Sequence, residues 1–165
     1  CSEFKLTPLQ IANLVLAFVQ ESFTYKYDID STHHVIGGPY EEYGRFALET
    51  IHDQHGDCEC TAILCASLLA YLGFNTALLL MEVEEEGRES TGHCAVGLSA
   101  QGAFLPTAAV IEKMDYFKAD DDSLYLYGET ATDATMGFGT IPDQWKGKLK
   151  NKRVVKIPLP QILAT

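Results

Sequence analysis

The sequence lacks long apolar runs and an excess of basic residues. Its two longest apolar stretches, Ile11–Val19 and Ala62–Leu72, are interrupted by Asn13 and Ser67 and are too short to cross a bilayer. Lys and Arg number 12 against 23 Asp and Glu, which gives a net charge of -11 and a field that repels a phosphate backbone. We therefore expect neither a transmembrane protein nor a nucleic-acid-binding protein.

The sequence also lacks the cysteine pattern of a disulfide framework. Its five cysteines are odd in number and unevenly spaced. A chain of 165 residues, 47% hydrophobic and 21% charged, has the composition of one ordinary globular domain and can bury a core without disulfides. The sequence predicts a single domain over 1–165, which could itself be a fragment of a longer chain, and the cysteines require another explanation.

The apolar spacing predicts three helices in the first half of the chain. Pro8–Phe23 follows a candidate N-cap at Thr7 and places apolar residues on one face. A second helix is predicted over Tyr43–His52, after an irregular loop over Tyr25–Tyr43. The third, Asp57–Leu72, starts at its N-cap Asp57, ends before Gly73 and is apolar nearly all round, which is typical of a helix buried on several sides.

Strand patterns dominate the second half. The predicted strands are Thr76–Val83, His93–Leu98, Phe104–Leu105, Leu124–Gly128 and Val154–Ile157. A charged turn is predicted over Glu84–Glu89, and the basic stretch Lys146–Arg153 is interpreted as a solvated turn in preference to a docking site for an acidic partner. Helices followed by strands indicate an α+β fold with an antiparallel sheet.

Cys58 lies at the predicted start of the buried helix. The positive end of the helix macrodipole and the unpaired N–H groups there stabilise an anion and favour a thiolate. A thiolate is the nucleophile of thiol catalysis, and a nearby imidazole can accept its proton and return it to the leaving group. On the predicted strand His93 shares a face with the small residues Ala95 and Gly97, which leaves space around its ring. Cys58 and His93 are therefore the predicted nucleophile and base.

A carboxylate is expected to orient the imidazole. Glu129 ends the strand-like run LYLYGE and shares its face with Tyr125 and Tyr127, which makes it the first candidate. Asp133 lies further along a loop rich in Gly and Thr, and is the second candidate because the chain would have to double back to bring it to His93.

Together these residues form a recognisable set of blocks. The blocks are Gly56-Asp57-Cys58-Glu59, Thr61-Ala62-Ile63-Leu64, Leu68-Leu69, Leu72-Gly73-Phe74, Gly92-His93-Cys94-Ala95-Val96-Gly97, Tyr127-Gly128-Glu129-Thr130 and Gly139-Thr140-Ile141-Pro142, preceded by Tyr43, Arg45, Glu49 and Thr50. In this order they resemble the transglutaminase-like superfamily of papain-like fold, particularly its prokaryotic cysteine peptidase-like branch. The resemblance extends over Phe18–Pro142.

The resemblance implies a papain-like core in which the cysteine helix packs on an antiparallel sheet, with Cys58 as nucleophile, His93 as base and Glu129 as acidic third member. It implies a thiol-dependent amide-bond hydrolase acting on a protein or peptide, or alternatively a protein-glutamine acyl transferase. Cys60 stands where this branch often has an acidic residue. Gln20 could donate to an oxyanion, although a position on the helix surface is the preferred interpretation.

Two other classes of function are considered. One is a catalytically silent protein-binding module of the same fold, because fold does not entail function. The other is a metal-binding module, whose candidate ligands are His52, His55, Cys58, Cys60, His93 and Cys94. Helical spacing disfavours it, since Cys58 and Cys60 would point to nearly opposite sides. No cofactor and no metal are expected.

The sequence begins with Cys1 and Ser2. A fragment of a longer chain is the preferred interpretation, and the alternative is the lipid-bearing first residue of a mature bacterial lipoprotein. Family habit and Cys1 weakly favour an extracytoplasmic location, periplasmic or lipid-anchored, but five cysteines without an obvious pairing suit a reducing compartment equally well, so the location stays open.

Overall fold

The computed structural model of the protein describes residues 5–27, 44–84, 87, 89–101 and 108–158. The helices in these ranges are α1 (Pro8–Ser22), α2 (Ala47–Asp53), α3 (Cys58–Tyr71) and α4 (Ala108–Ile111). The strands are β1 (Thr24–Tyr25), β2 (His55–Gly56), β3 (Thr76–Val83), β4 (Thr91–Ser99), β5 (Tyr116–Lys118), β6 (Leu124–Gly128) and β7 (Leu149–Ile157). The order of elements confirms the α+β prediction.

Helix α1 begins where the sequence predicts. The Thr7 hydroxyl accepts a hydrogen bond from the Gln10 N–H at 3.3 Å, and the Gln10 side chain accepts one from the Thr7 N–H at 2.8 Å. This reciprocal capping box satisfies two N–H groups that the helix leaves unpaired. The helix buries Ala12, Leu16 and Val19 on its inner face.

Helix α3 is the central helix of the fold. The Asp57 carboxylate caps its start by accepting a hydrogen bond from the Cys60 N–H at 3.0 Å. The chain leaves the helix through Gly73, whose φ of +87° suits a residue without a side chain. Eight of its side chains are buried: Cys60, Thr61, Ala62, Leu64, Cys65, Ala66, Leu69 and Ala70. The prediction of a helix buried on several sides is confirmed.

A five-stranded antiparallel sheet, in the order β5-β6-β4-β3-β7, packs against this helix. One core fills the space between the sheet and helices α1 and α3, where Leu16 and Leu69 meet Val96 and Leu98. A second core, which includes Leu79, Ala95, Phe117 and Tyr127, fills the other face. The sheet curls around this second core until Lys152 of β7 lies 4.9 Å from the ring centroid of Phe117 in β5.

The end of the chain corrects one prediction. Lys146–Arg153 is predicted as a solvated turn, but only residues 146–148 form the turn and β7 begins at Leu149. Leu149 is buried and pairs with Val83, so burial of one apolar side chain draws the basic stretch into the sheet. A bulge interrupts the pairing where Asn151 adopts a left-handed φ of +48°.

Other boundaries differ by less. Helix α2 begins at Ala47 instead of Tyr43, because the Glu49 side chain holds the Phe46 N–H at 2.8 Å and starts the helix there. Strands β1, β2 and β5 are not predicted. The predicted strand Phe104–Leu105, most of the Tyr25–Tyr43 loop and three residues of the Glu84–Glu89 turn lie outside the described residues. Across the described ranges, no helix combines the length and apolar character that a bilayer crossing requires.

Candidate active site

Two short strands place Cys58 at the mouth of a cavity. Strands β1 and β2 pair in parallel, with Tyr25 opposite Gly56, so the segment that leads into α3 is held beside the segment that follows α1. Cys58 is the first residue of α3 and is partly exposed, whereas Cys60, Cys65 and Cys94 are buried. The start of an α-helix leaves backbone N–H groups without helical partners, and the Cys58 thiol lies at this end of α3.

His93 stands near the start of β4, opposite Met81 of β3, and its side chain is 9% exposed. Its Nε2 lies 3.0 Å from Oε2 of Glu129. Burial lowers the pKa of His93, but hydrogen bonds with Cys58 and Glu129 and their negative charges outweigh burial and raise the pKa to about 9. Glu129 engages Nε2, which leaves Nδ1 as the ring nitrogen for a second partner.

Glu129 follows β6 directly and is completely buried. Oε1 of its carboxylate accepts a hydrogen bond from the Ala131 N–H at 2.8 Å, and Oε2 accepts bonds from His93 and from the Tyr127 hydroxyl. These donors compensate the cost of burying the charge. Asp133 is exposed on the following loop, so the structure places Glu129 and not Asp133 at the imidazole.

Three features of the site are missing from the sequence prediction. The Trp145 ring lies over His93, with 4.4 Å between ring centroids, and the Tyr127 hydroxyl bonds to Glu129. The Thr61 hydroxyl lies 2.9 Å from that of Thr130 and ties α3 to the Glu129 segment. The shared strand face of Tyr127 and Glu129 was a usable sequence signal for the contact between them. Only the tertiary structure brings Trp145 and Thr130 to the site.

A cavity of about 530 Å³ opens beside Cys58 and His93. Its walls combine aromatic, aliphatic and acidic side chains, among them Tyr25, Tyr27, Trp145, Leu80, Met81, Val83, Asp57 and Glu59. A second cavity of about 810 Å³ also reaches His93 and Trp145, and is bounded by the loop that carries Asp133. The site is therefore accessible from two directions.

Gln20 neither donates to an oxyanion position nor lies on the exposed surface of its helix. Its side-chain amide donates to the backbone carbonyls of Glu129 at 2.7 Å and Met136 at 3.1 Å, and its oxygen accepts from the Met136 N–H at 3.1 Å. The amide is thus engaged with backbone groups instead of an oxyanion, and its residue is only partly exposed. Gln20 fastens the loop after Glu129 to α1.

The remaining cysteines lie in surroundings that disfavour a thiolate. Burial raises the pKa of Cys60 to about 11 and raises the pKa of Cys65 and Cys94 further. The Cys60 sulfur accepts a hydrogen bond at 3.6 Å from the buried Arg45, whose Nε lies 3.4 Å from Asp53. Cys60 therefore packs against a cationic side chain on the side of the helix away from the cavity.

The candidate metal ligands are not assembled. Within residues 5–27, 44–84, 87, 89–101 and 108–158, no three His, Cys, Asp or Glu side chains are grouped so that they could hold a metal ion. His55 bonds through Nδ1 to the Asp53 carbonyl at 2.8 Å, and His52 is exposed on α2. The described part of the chain thus offers no set of ligands for the metal-binding module.

Comparison with known proteins gives the chain a family. No curated protein matches it. A family model described as a transglutaminase-like domain matches residues 5–120, which is more than half of the chain and includes Cys58 and His93. The match agrees with the cysteine helix packed on a curled antiparallel sheet, and the chain belongs to the transglutaminase-like family.

Proposed function

We propose that the protein is a thiol-dependent amide-bond hydrolase, a peptidase, isopeptidase or amidase, working through Cys58, His93 and Glu129. The observation that carries the proposal is the His93 imidazole, which lines the same cavity as the partly exposed Cys58 thiol and is hydrogen bonded to the buried Glu129 carboxylate. This is the order of nucleophile, base and orienting acid that acyl transfer requires. The resemblance to the peptidase-like branch favours water as the acceptor.

The proposed reaction has two stages. The Cys58 sulfur attacks the amide carbon, a C–S bond forms, and the electron pair of the carbonyl moves onto an oxygen held by N–H groups of the first α3 turn. The imidazolium of His93 gives its proton to the amide nitrogen, the C–N bond breaks and the amine leaves. Water then attacks the thioester while His93 takes its proton, the C–S bond breaks, and the acid and the thiol are released.

Alkylation of the four described cysteines tests the nucleophile. We expect iodoacetamide at neutral pH to modify Cys58 about tenfold faster than Cys60, Cys65 or Cys94, because the buried thiols resist ionisation. Peptide mass spectrometry follows each cysteine separately. The variant His93→Ala should lose the advantage of Cys58.

His52→Ala is the matched control, because His52 is exposed on α2 and outside the site. If Cys58 is as slow as the buried cysteines, or if His93→Ala leaves its rate unchanged, the proposed hydrolase is wrong and a binding module of the same fold takes precedence. Cleavage of fluorogenic peptidyl amides, abolished in Cys58→Ala, then identifies the acyl group.

An acyl transferase is the second candidate function, and the second cavity favours it. That cavity reaches His93 beside Thr130 and Gln144, away from Leu80 and Met81 of the first cavity, and could hold an amine acceptor. Mass spectrometry of products formed with and without a primary amine separates the two candidates. Incorporation of the amine in preference to water would establish transfer, and free acid alone would establish hydrolysis.

A further inference from the structure

Tyr127 and His93 donate hydrogen bonds to the same carboxylate oxygen. Oε2 of Glu129 accepts from His93 Nε2 at 3.0 Å and from the Tyr127 hydroxyl, while Oε1 accepts from the Ala131 N–H. The carboxylate is fully buried, so bulk water does not compete for these positions. In water, many solvent molecules would stabilise the negative charge of the Glu129 carboxylate. In the protein, three donors share this task.

The phenol is held firmly in this position. Tyr127 is completely buried, its N–H donates to the Asp115 carbonyl at 3.0 Å, and its own carbonyl accepts from the Gly139 N–H at 2.7 Å. Its ring packs against Phe117 with 5.9 Å between centroids. Burial and the Glu129 charge raise the pKa of Tyr127, so the hydroxyl stays protonated and donates throughout the working pH range.

We propose that Tyr127 is a positioning residue which, by sharing Oε2 of Glu129 with His93, limits how strongly the carboxylate stabilises the His93 imidazolium. The inference rests on the proposed function, because it concerns how readily His93 releases a proton to the leaving amine. A proton donor bonded too strongly to its orienting carboxylate transfers its proton less readily. The second donor divides the charge of Glu129 and keeps His93 available as an acid.

Other groups around His93 stay in place when the hydroxyl is removed. The charged, titratable or aromatic groups that face the site from the surrounding elements are Glu21, Phe23, Tyr25, Tyr27, Asp57, Cys58, Glu59, Cys94, Glu129, Asp133 and Trp145. None of them changes in a Tyr127→Phe protein, so a shift in the His93 titration reports on the shared oxygen.

The test is the titration of the His93 ring by NMR in the native protein and in Tyr127→Phe. We expect His93 in the variant to lose its proton at a pH higher by roughly half a unit to one unit, because Glu129 then binds the imidazolium more tightly. Tyr125→Phe is the matched control, since Tyr125 is buried two residues earlier on β6 and is not among the donors to Glu129. Its His93 titration should match the native protein.

A titration in Tyr127→Phe that is unchanged or moves to lower pH overturns the inference. Replacing Tyr127 by 3-fluorotyrosine, a stronger donor of the same shape, gives a second test if the first variant does not fold, and should move the His93 titration to lower pH. Neither measurement needs turnover. Loss of selective Cys58 alkylation would therefore overturn the proposed function, whereas an unmoved titration with selective alkylation intact would overturn only the role of Tyr127.

Discussion

His93 carries a charge that links the site to the stability of the protein. Its pKa rises from 6.5 to about 9 on folding, so the folded protein holds a proton that the unfolded chain releases between these values. The stabilisation is complete below pH 6.5 and is lost as pH rises through about 9. The residue proposed for proton transfer thus also makes the fold sensitive to alkaline pH.

Replacing His93 by Gln tests this link. The free energy of unfolding of the native protein, relative to His93→Gln, should fall by about 1–3 kcal/mol between pH 6.5 and pH 9, because Gln cannot bind the proton. Urea denaturation of both proteins at the two pH values measures the difference. The exposed His52→Gln is the control, and a difference that does not change with pH would contradict the assignment of charge to His93.

Within β4, a glycine brings two neighbouring strands close together. A Cβ atom added to Gly97 would lie 2.9 Å from Leu79 Cδ2 and 3.1 Å from Tyr125 Cβ, whereas one added to Gly92 would meet nothing within 4 Å. Gly97→Ala should therefore lower the free energy of unfolding by about 1–3 kcal/mol through overpacking. Gly92→Ala, on the same strand, should have an effect near zero in the same urea titration. Equal stabilities of the two variants would show that the core inside the curl can relax.

The sequence predicts elements well where periodicity and caps agree. The structure confirms the Thr7 and Asp57 caps, strand Thr76–Val83 and strand Leu124–Gly128. Strands β1 and β2 have two residues each, which is too few to show an alternation of apolar and polar residues. They form because two segments distant in the sequence pair in the folded structure. In β7, local charge indicated a turn, but pairing with β3 decides the conformation.

The candidate site also combines residues that local sequence patterns predict with residues that only tertiary contacts bring into place. Cys58, His93 and Glu129 follow from a helix start, a strand face and a strand end, and the structure brings these three side chains together. Trp145 follows 16 residues after Glu129 by numbering, in a short 3-10 turn, and no local pattern places its ring on His93. Sequence periodicity does not predict contacts between segments that are distant in the chain and become neighbours only in the folded structure.

For the molecule as a whole, Phe117 closes the curl of the sheet. It is 2% exposed and contacts Tyr127 from the neighbouring strand and Lys152 from the strand at the opposite edge. Phe117→Ala should lower the free energy of unfolding by about 3–5 kcal/mol, as expected for a large buried aromatic side chain. Tyr116→Ala removes a side chain that is 43% exposed from the same strand and should cost much less. Similar losses in the two variants, measured by urea denaturation, would mean that the curl does not depend on Phe117.

Strand β7 has a further consequence for the behaviour of the protein at high concentration. It forms one edge of the sheet, and an uncovered edge is a template on which another chain can add a strand and aggregate. Wherever two such edges meet, like charges from Lys152 and Arg153 come together, whereas Lys150 and Lys156 are paired with Glu84 and Asp121. The bulge at Asn151 breaks the register of any added strand. We therefore expect the basic stretch to oppose self-association of this acidic protein at this edge.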